Sequence, residues 1–119
     1  MAKMYENLDA WEEAVNLAIQ IYEITRTFPK EEIYGLTSQL RGASVSVSSN
    51  IAEGAGRKSK KDFKQFVHIA SGSLNEVESL LQICFRLNLI TGDSYKELNE
   101  STERLGRLMG GLLKYLDGK

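Results

Sequence analysis

The sequence contains one cysteine, one histidine and one proline among its 119 residues. The lone Cys84 cannot form an internal disulfide and offers no cluster of thiols for zinc. It falls on a line of apolar residues, where a cysteine behaves as a small hydrophobic side chain rather than a nucleophile. His68 has no second histidine, and no carboxylate follows three or four residues later, so it does not predict a metal site. We therefore expect neither a disulfide-stabilised fold nor a metal centre.

Membrane segments and the usual catalytic patterns are also missing. No window approaches the roughly 20 apolar residues that span a bilayer, and residues 1–9 lack the apolar stretch of a secretory signal. Residues 54–58 lead out of a predicted helix with the wrong spacing for a phosphate loop. Glu76 and Glu78 are two residues apart on a predicted helix, so they cannot work as an acid/base pair. These absences predict a cytoplasmic protein that is not an enzyme, with no cofactor, membrane contact or small-molecule substrate.

Apolar residues recur at helical spacing in four segments, and no strand pattern or linker separates them. Pro29 is predicted to end the first helix, Gly54 and Gly56 the second. Ser59 is a predicted N-cap for the third, and residues 91–93 offer a cap for the fourth. The predicted helices of this single domain, 1–119, cover approximately residues 8–28, 36–54, 60–89 and 93–116. Because the connections are short, the sequence predicts an all-α, antiparallel up-down-up-down four-helix bundle.

The first and third helices carry more apolar side chains than one buried seam requires. Trp11, Phe66, Leu80 and Leu87 flank the predicted seam positions. A surplus of apolar surface is typical of proteins that self-associate. We therefore expect a homo-oligomer.

Charge is distributed unevenly along a chain whose net charge is −1. Residues 1–40 carry three basic and seven acidic side chains, and residues 41–68 carry six and two. The six basic candidates for contact with a nucleic acid or partner are Arg41, Arg57, Lys58, Lys60, Lys61 and Lys64. One interpretation is a solvated turn between the second and third helices. The other is contact with phosphates, which an oligomer would strengthen by repeating the patch.

A second group of polar residues is predicted to be structural. Asn50 and Glu53 close the second helix beside a line of small residues, within reach of Arg41 or Arg57. The pattern predicts a satisfied polar network whose members are Gln39, Asn50, Glu53, Glu76 and Glu78.

The central part of the sequence resembles a known family. Residues 34–78 contain the runs YGL, QLR, SVS, SNIAEG, GRKS, KDF and ASGSL, beginning at positions 34, 39, 44, 49, 56, 61 and 70. This pattern resembles the 23S ribosomal RNA intervening-sequence protein family. The resemblance extends to Trp11, Tyr22, residues 28–29 and the two glutamates at 76 and 78, so it covers nearly the whole chain.

The resemblance implies a bacterial four-helix bundle that assembles as a cylindrical homopentamer, in a family with no known enzymatic activity. Relatives that accompany diversity-generating retroelements bind the reverse transcriptase and are thought to bind nucleic acid through a strongly basic surface. This chain departs from that pattern because it is slightly acidic overall. Gly42 stands where the family often has a second arginine after Arg41, and Ser48 replaces a common proline.

Two functional hypotheses follow. The first is a non-enzymatic oligomeric scaffold or accessory protein that contacts RNA, DNA or a nucleic-acid enzyme through the basic turn. The alternative is a protein–protein interaction module with no nucleic-acid partner, in which the apolar flanks of the helices mediate assembly.

Overall fold

The computed structural model describes Tyr5 and residues 8–118. This part of the chain forms a four-helix bundle of 47 × 24 × 22 Å. The helices are α1 (Asp9–Thr25), α2 (Leu36–Ala55), α3 (Lys60–Arg86) and α4 (Gly92–Asp117), with one short 3-10 helix, Lys30–Glu32, between α1 and α2. The predicted all-α four-helix fold is confirmed. None of the helices in the described part of the chain combines the length and apolar character that crossing a bilayer requires.

The end of α1 lies three residues before the predicted one. The amides of Thr27 and Phe28 donate to the carbonyls of Ile24 and Thr25 at 3.2 and 3.1 Å, so the last turn tightens from α to 3-10 spacing. Phe28 remains buried in the core at 9% exposure. The apolar pattern therefore continues past the end of the helix.

The end of α3 also comes early, at Arg86 rather than residue 89. Asn88 adopts a φ of 62°, in the left-handed region that asparagine tolerates better than most residues. The amide of Leu89 donates to the carbonyl of Cys84 at 2.9 Å, and that of Asn88 to Phe85 at 3.0 Å. These two bonds form a Schellman motif, which satisfies carbonyls that the helix end leaves free.

Both predicted caps are present. The Ser59 hydroxyl accepts a hydrogen bond from the amide of Asp62 at 3.1 Å, and Thr91 accepts one from Ser94 at 3.1 Å. Because Thr91 is the N-cap, α4 begins at Gly92, one residue earlier than predicted. A side-chain cap of this kind stabilises a helix by about 1 kcal/mol.

Each helix packs against two neighbours, and the contacts join α1 to α2, α2 to α3, α3 to α4 and α4 to α1. Side-chain ion pairs join two of these interfaces: Arg104 of α4 donates to Glu13 of α1, and Lys64 of α3 donates to Asp117 of α4. The largest fully buried side chains include Leu17, Ile21, Leu40, Ile51, Leu81, Leu105 and Met109. Each such side chain contributes roughly 1.5–3 kcal/mol by leaving water.

The apolar residues that the sequence predicted to lie outside the seam are exposed only in part. Leu80 is buried at 7% exposure, Trp11 and Phe66 are half-buried, and only Leu87 is largely exposed, at 58%. The buried face of α3 is wider than two residues per heptad, so it includes Leu80.

Two other apolar surfaces face outward. The first, the outer groove, lies between α1 and α2; its apolar lining is Val15, Ala18, Ile19 and Tyr22, and its polar lining is Glu23, Arg26 and Ser48. The second, the outer stripe, consists of Ile69 and Ile83 on α3, which are 52% and 43% exposed. The stripe lies on α3, which makes no contact with α1 in the described bundle, so the two surfaces share no helix.

Candidate nucleic-acid interface

The predicted cations gather at one end of the bundle, around the connection between α2 and α3. We use the name basic turn for Arg57, Lys58, Lys60, Lys61 and Lys64. The connection is tight because Gly54 packs directly on α3. A Cβ atom at Gly54 would lie 2.7 Å from the Cβ of Phe66 and 2.9 Å from Cδ1 of Phe63. Glycine therefore allows the close approach that brings the end of α2 onto the start of α3.

Two cations of the basic turn are paired with carboxylates. Arg57 donates to Glu53 at 2.7 Å, and its guanidinium lies 4.7 Å from the centre of the Phe66 ring. Lys64 pairs with Asp117, which ties the start of α3 to the end of α4. Exposed pairs of this kind contribute about 0–1 kcal/mol each. Their main consequence here is that both charges are locally compensated.

The remaining three cations are Lys58, Lys60 and Lys61. All three are exposed, and none forms an ion pair with a carboxylate in the described part of the chain. Lys60 and Lys61 occupy the first turn of α3, where the helix dipole disfavours a positive charge by about 0.3–1 kcal/mol. An anion at this place would be attracted by the lysines and by the helix end together.

A cleft of about 460 Å³ opens beside these lysines, and we call it the end cleft. Its apolar lining is Leu8, Ala55, Phe63, Leu112 and Leu116, and its polar lining is Arg57, Lys58, Ser59, Lys60 and Tyr115. Tyr115 is 67% exposed, and the ammonium group of Lys60 lies 5.1 Å from the centre of its ring. The site therefore combines an apolar floor, an exposed aromatic ring and unpaired cations.

Arg41 does not join the basic turn. It lies 16 residues before Arg57, which corresponds to about 24 Å along a helix. Its Nε donates to Oγ1 of Thr25 at 2.9 Å, and its guanidinium lies 4.5 Å from the centre of the Tyr22 ring. Arg41 therefore holds α2 against α1.

The predicted polar network is assembled only in part, and with different members. Asn50 donates to the carbonyl oxygen and the hydroxyl of Ser46 at 2.8 and 3.0 Å, and the Ser46 hydroxyl lies 2.9 Å from that of Ser73 on α3. Glu53 pairs with Arg57, one of the two arginines that the sequence placed within its reach. The other three predicted members are exposed and make no side-chain hydrogen bond within the described residues: Gln39, Glu76 and Glu78.

The remaining reactive side chains lie away from this site. Burial raises the pKa of the Cys84 thiol to about 11, with a smaller contribution from Glu32, so the thiol is protonated at neutral pH. His68 is exposed on α3. No group of three or more histidine, cysteine, aspartate or glutamate side chains within the described ranges is placed to hold a metal ion. What the end of the bundle offers is charge attraction and aromatic stacking.

Sequence reasoning found the five cations but missed Tyr115. The only signal for this residue is that it follows Lys114 one position before Leu116, off the apolar line of α4. Its closeness to Lys60 depends on the packing of α4 against α3, which no local pattern reveals.

Comparisons with known proteins agree on the fold. Residues 6–111 match the family described as 23S rRNA-intervening sequence protein. A crystal structure of a protein with unknown function from the S23 ribosomal protein family of Bacteroides thetaiotaomicron has a TM-score of 0.79 to this chain. The two are 22% identical, and the similarity covers 88% of this chain and 98% of that one. No curated protein sequence matches the chain.

Proposed function

We propose that this chain, which belongs to the 23S rRNA-intervening sequence protein family, is a non-enzymatic accessory protein that binds the phosphates of RNA or DNA. The observation that carries this proposal is the group of three unpaired lysines, Lys58, Lys60 and Lys61, at the start of α3. Nucleic acids are polyanions whose repeated phosphates such a group can contact, and RNA is the first probe to use because the name of the family refers to a ribosomal RNA.

The non-enzymatic part of the proposal rests on the two reactive side chains. Cys84 is fully buried and its pKa is raised to about 11, so its thiol is neither accessible nor ionised at neutral pH. His68 lies on the exposed side of α3, while Cys84 faces the core sixteen residues later. The two side chains therefore cannot act together as nucleophile and base.

Self-association is part of the proposal, with a second copy of this chain as the occupant of the outer groove. A closed ring requires two different surfaces on each subunit, one of which packs on the other in the next subunit. The outer groove and the outer stripe supply two such surfaces. Ile19 in the groove and Ile69 in the stripe are each 52% exposed, and the helices that carry them lie on opposite sides of the bundle. A ring would repeat the basic turn once per subunit and so raise its avidity for a long polyanion.

The test is fluorescence anisotropy of labelled RNA and DNA across a salt series. Replacing Lys58, Lys60 and Lys61 together with glutamate is expected to remove binding. Three contacts predict that the slope of log affinity against log salt is about −2 to −3 per subunit. The matched control replaces Lys30, Arg86 and Lys96 with glutamate, because these exposed cations lie at the other end of the bundle and the change of net charge is identical.

Binding that survives the Lys58, Lys60 and Lys61 replacement, or that both triple variants lose equally, would overturn the proposed site. Absence of binding by the wild-type oligomer at low salt would overturn nucleic-acid binding altogether.

In that last case the second candidate function takes its place, a protein–protein interaction module. The outer groove favours it, because Ile19 and Tyr22, which line it, are 52% and 40% exposed. The measurement that separates the two is recovery of a defined protein complex from nuclease-treated lysate, lost in an Ile19→Lys variant.

A further inference from the structure

The most exposed feature of the end cleft is an aromatic ring. Tyr115 is 67% exposed although it lies in the last turn of α4, and Lys60 holds its ammonium group 5.1 Å from the ring centre. Aromatic rings beside cations recur where proteins bind single-stranded nucleic acids, because bases stack on the ring while phosphates meet the cations.

We infer that the end cleft binds a single-stranded segment of RNA or DNA, with one unstacked base on the Tyr115 ring and the neighbouring phosphates on Lys58 and Lys60. This inference rests on the proposed function and narrows it to single strands. A duplex keeps the faces of its bases stacked inside the helix, so it has no base to place in the cleft.

The size and lining of the cleft fit this occupant. Its volume of about 460 Å³ lies within the roughly 300–1,000 Å³ of clefts that hold small ligands. Leu112, Leu116 and Phe63 give it an apolar floor against which the flat face of a base can lose its water.

The charges around the cleft fit the flanking phosphates. Lys58 and Lys60 line the cleft itself, and Lys61 follows in the first turn of α3. Arg57 and Lys64, on either side, are already paired with Glu53 and Asp117. The unpaired positive charge is therefore concentrated beside the ring rather than spread along the whole basic turn.

The experiment compares two labelled probes, an unstructured single-stranded RNA roughly 12 nucleotides long and the same strand annealed to its complement. The oligomeric protein is titrated into each probe at low salt. Tyr115→Ala is expected to weaken single-strand binding by roughly 5- to 100-fold, because stacking of one base contributes about 1–3 kcal/mol. The affinity of this variant for the duplex, which depends on the lysines alone, is expected to stay within about twofold of the wild-type affinity.

Two further variants control the interpretation. Tyr115→Phe keeps the ring and its contact with Lys60, so it is expected to bind single strands like the wild type. Tyr34→Ala removes a tyrosine that is 95% exposed at the other end of the bundle, and it is expected to change neither affinity. Since Tyr115 is mostly exposed, helix content and unfolding temperature should be retained, and circular dichroism checks this.

The possible failures are distinguishable. If Tyr115→Ala weakens both probes equally or neither, the stacking site is wrong, while the lysine-dependent proposal stands. If an unlabelled oligoglutamate of equal charge competes as well as single-stranded RNA, the cleft recognises charge alone and the inference is likewise wrong. If the wild-type protein binds neither probe, the proposed function fails and takes the inference with it.

Discussion

Cys84 shows how burial decides the chemistry of a single residue. It has no exposed surface in the bundle, and its thiol has a pKa of about 11 against an ordinary value of 9.0. The main cause is that the apolar core disfavours the charged thiolate, and the Glu32 carboxylate adds to this. The neutral thiol therefore packs as a small apolar group on α3.

This shift predicts a pH dependence of stability. The folded state holds the thiol proton more tightly than the unfolded state, so the contribution of Cys84 is complete below pH 9 and is lost as the pH rises towards 11. The difference in the free energy of unfolding between the wild type and Cys84→Ala is expected to change by about 2 kcal/mol in favour of the variant between pH 8 and pH 11. Urea denaturation at a series of pH values measures this, and parallel curves for the two proteins would contradict it.

The role of a residue was predicted correctly from the sequence where that role depends only on residues nearby in the chain. Ser59 and Thr91 cap the helices that follow them, since a cap depends on residues within one turn. Arg41 was grouped with the basic turn because both belong to the basic segment 41–68. In the structure it contacts α1 through Thr25 instead. Tyr115 was missed for the same reason, because its partner Lys60 lies 55 positions away on another helix.

At the scale of the helices, the apolar repeat located all four elements but placed two of their ends late. The pattern of α1 runs on to Phe28 and that of α3 to Leu89, because the residues after each helix still pack against the bundle. What ends α3 is the left-handed turn at Asn88, and asparagine signals such a turn less clearly than glycine does.

The contact between α2 and α3 depends on one missing side chain. Gly54→Ala is expected to destabilise the protein by about 1–3 kcal/mol, because the added methyl group would overlap Phe66 and Phe63 at 2.7 and 2.9 Å. The overlap therefore outweighs the stabilisation of about 0.5–1 kcal/mol that replacing glycine with alanine ordinarily gives inside a helix.

The matched control for this element is Gly42→Ala. Gly42 is exposed in the same helix, and a Cβ atom there would meet nothing within 4 Å. This variant is expected to be more stable than the wild type by about 0.5–1 kcal/mol. Chemical denaturation measures the free energy of unfolding of both variants. A Gly54→Ala variant more stable than the wild type would show that α2 and α3 can move apart at no cost in stability, which would contradict the prediction.

At the scale of the whole molecule, the apolar residues divide between a buried core and two outward surfaces. The core closes the bundle around its four helices, whereas the outer groove and the outer stripe leave apolar area that a second copy can cover. The sequence predicted a surplus of apolar residues and placed Leu87 correctly on the surface, but it missed Ile19 and Ile69, since exposure depends on how each helix is rotated in the bundle.

Assembly through two different surfaces has a specific outcome in mixtures. Ile19→Lys and Ile69→Lys are each expected to stop ring formation, because each would place a charged side chain in one apolar contact and weaken it by more than about 100-fold. Each variant keeps the surface that the other lacks, so an equimolar mixture is expected to form a dimer. Light scattering after size-exclusion chromatography measures the masses.

The control is Ile33→Lys, because Ile33 is 53% exposed beside the 3-10 helix and lies in neither surface. It is expected to assemble like the wild type. If Ile19→Lys and Ile69→Lys retain the wild-type mass, the interface lies elsewhere. A dimer of either variant alone would indicate a two-fold contact in place of a ring.

Leu8, just before α1, and Leu116, in the last turn of α4, line the same cleft as Lys58 and Lys60. A tag or fluorescent protein attached just before Leu8 or just after α4 would therefore lie next to the basic turn. An acidic tag would act as a tethered competitor for the lysines, and a partly protonated polyhistidine tag would add its own positive charge beside them. Labels placed instead in the connection between α1 and α2, at the far end, leave the cleft open.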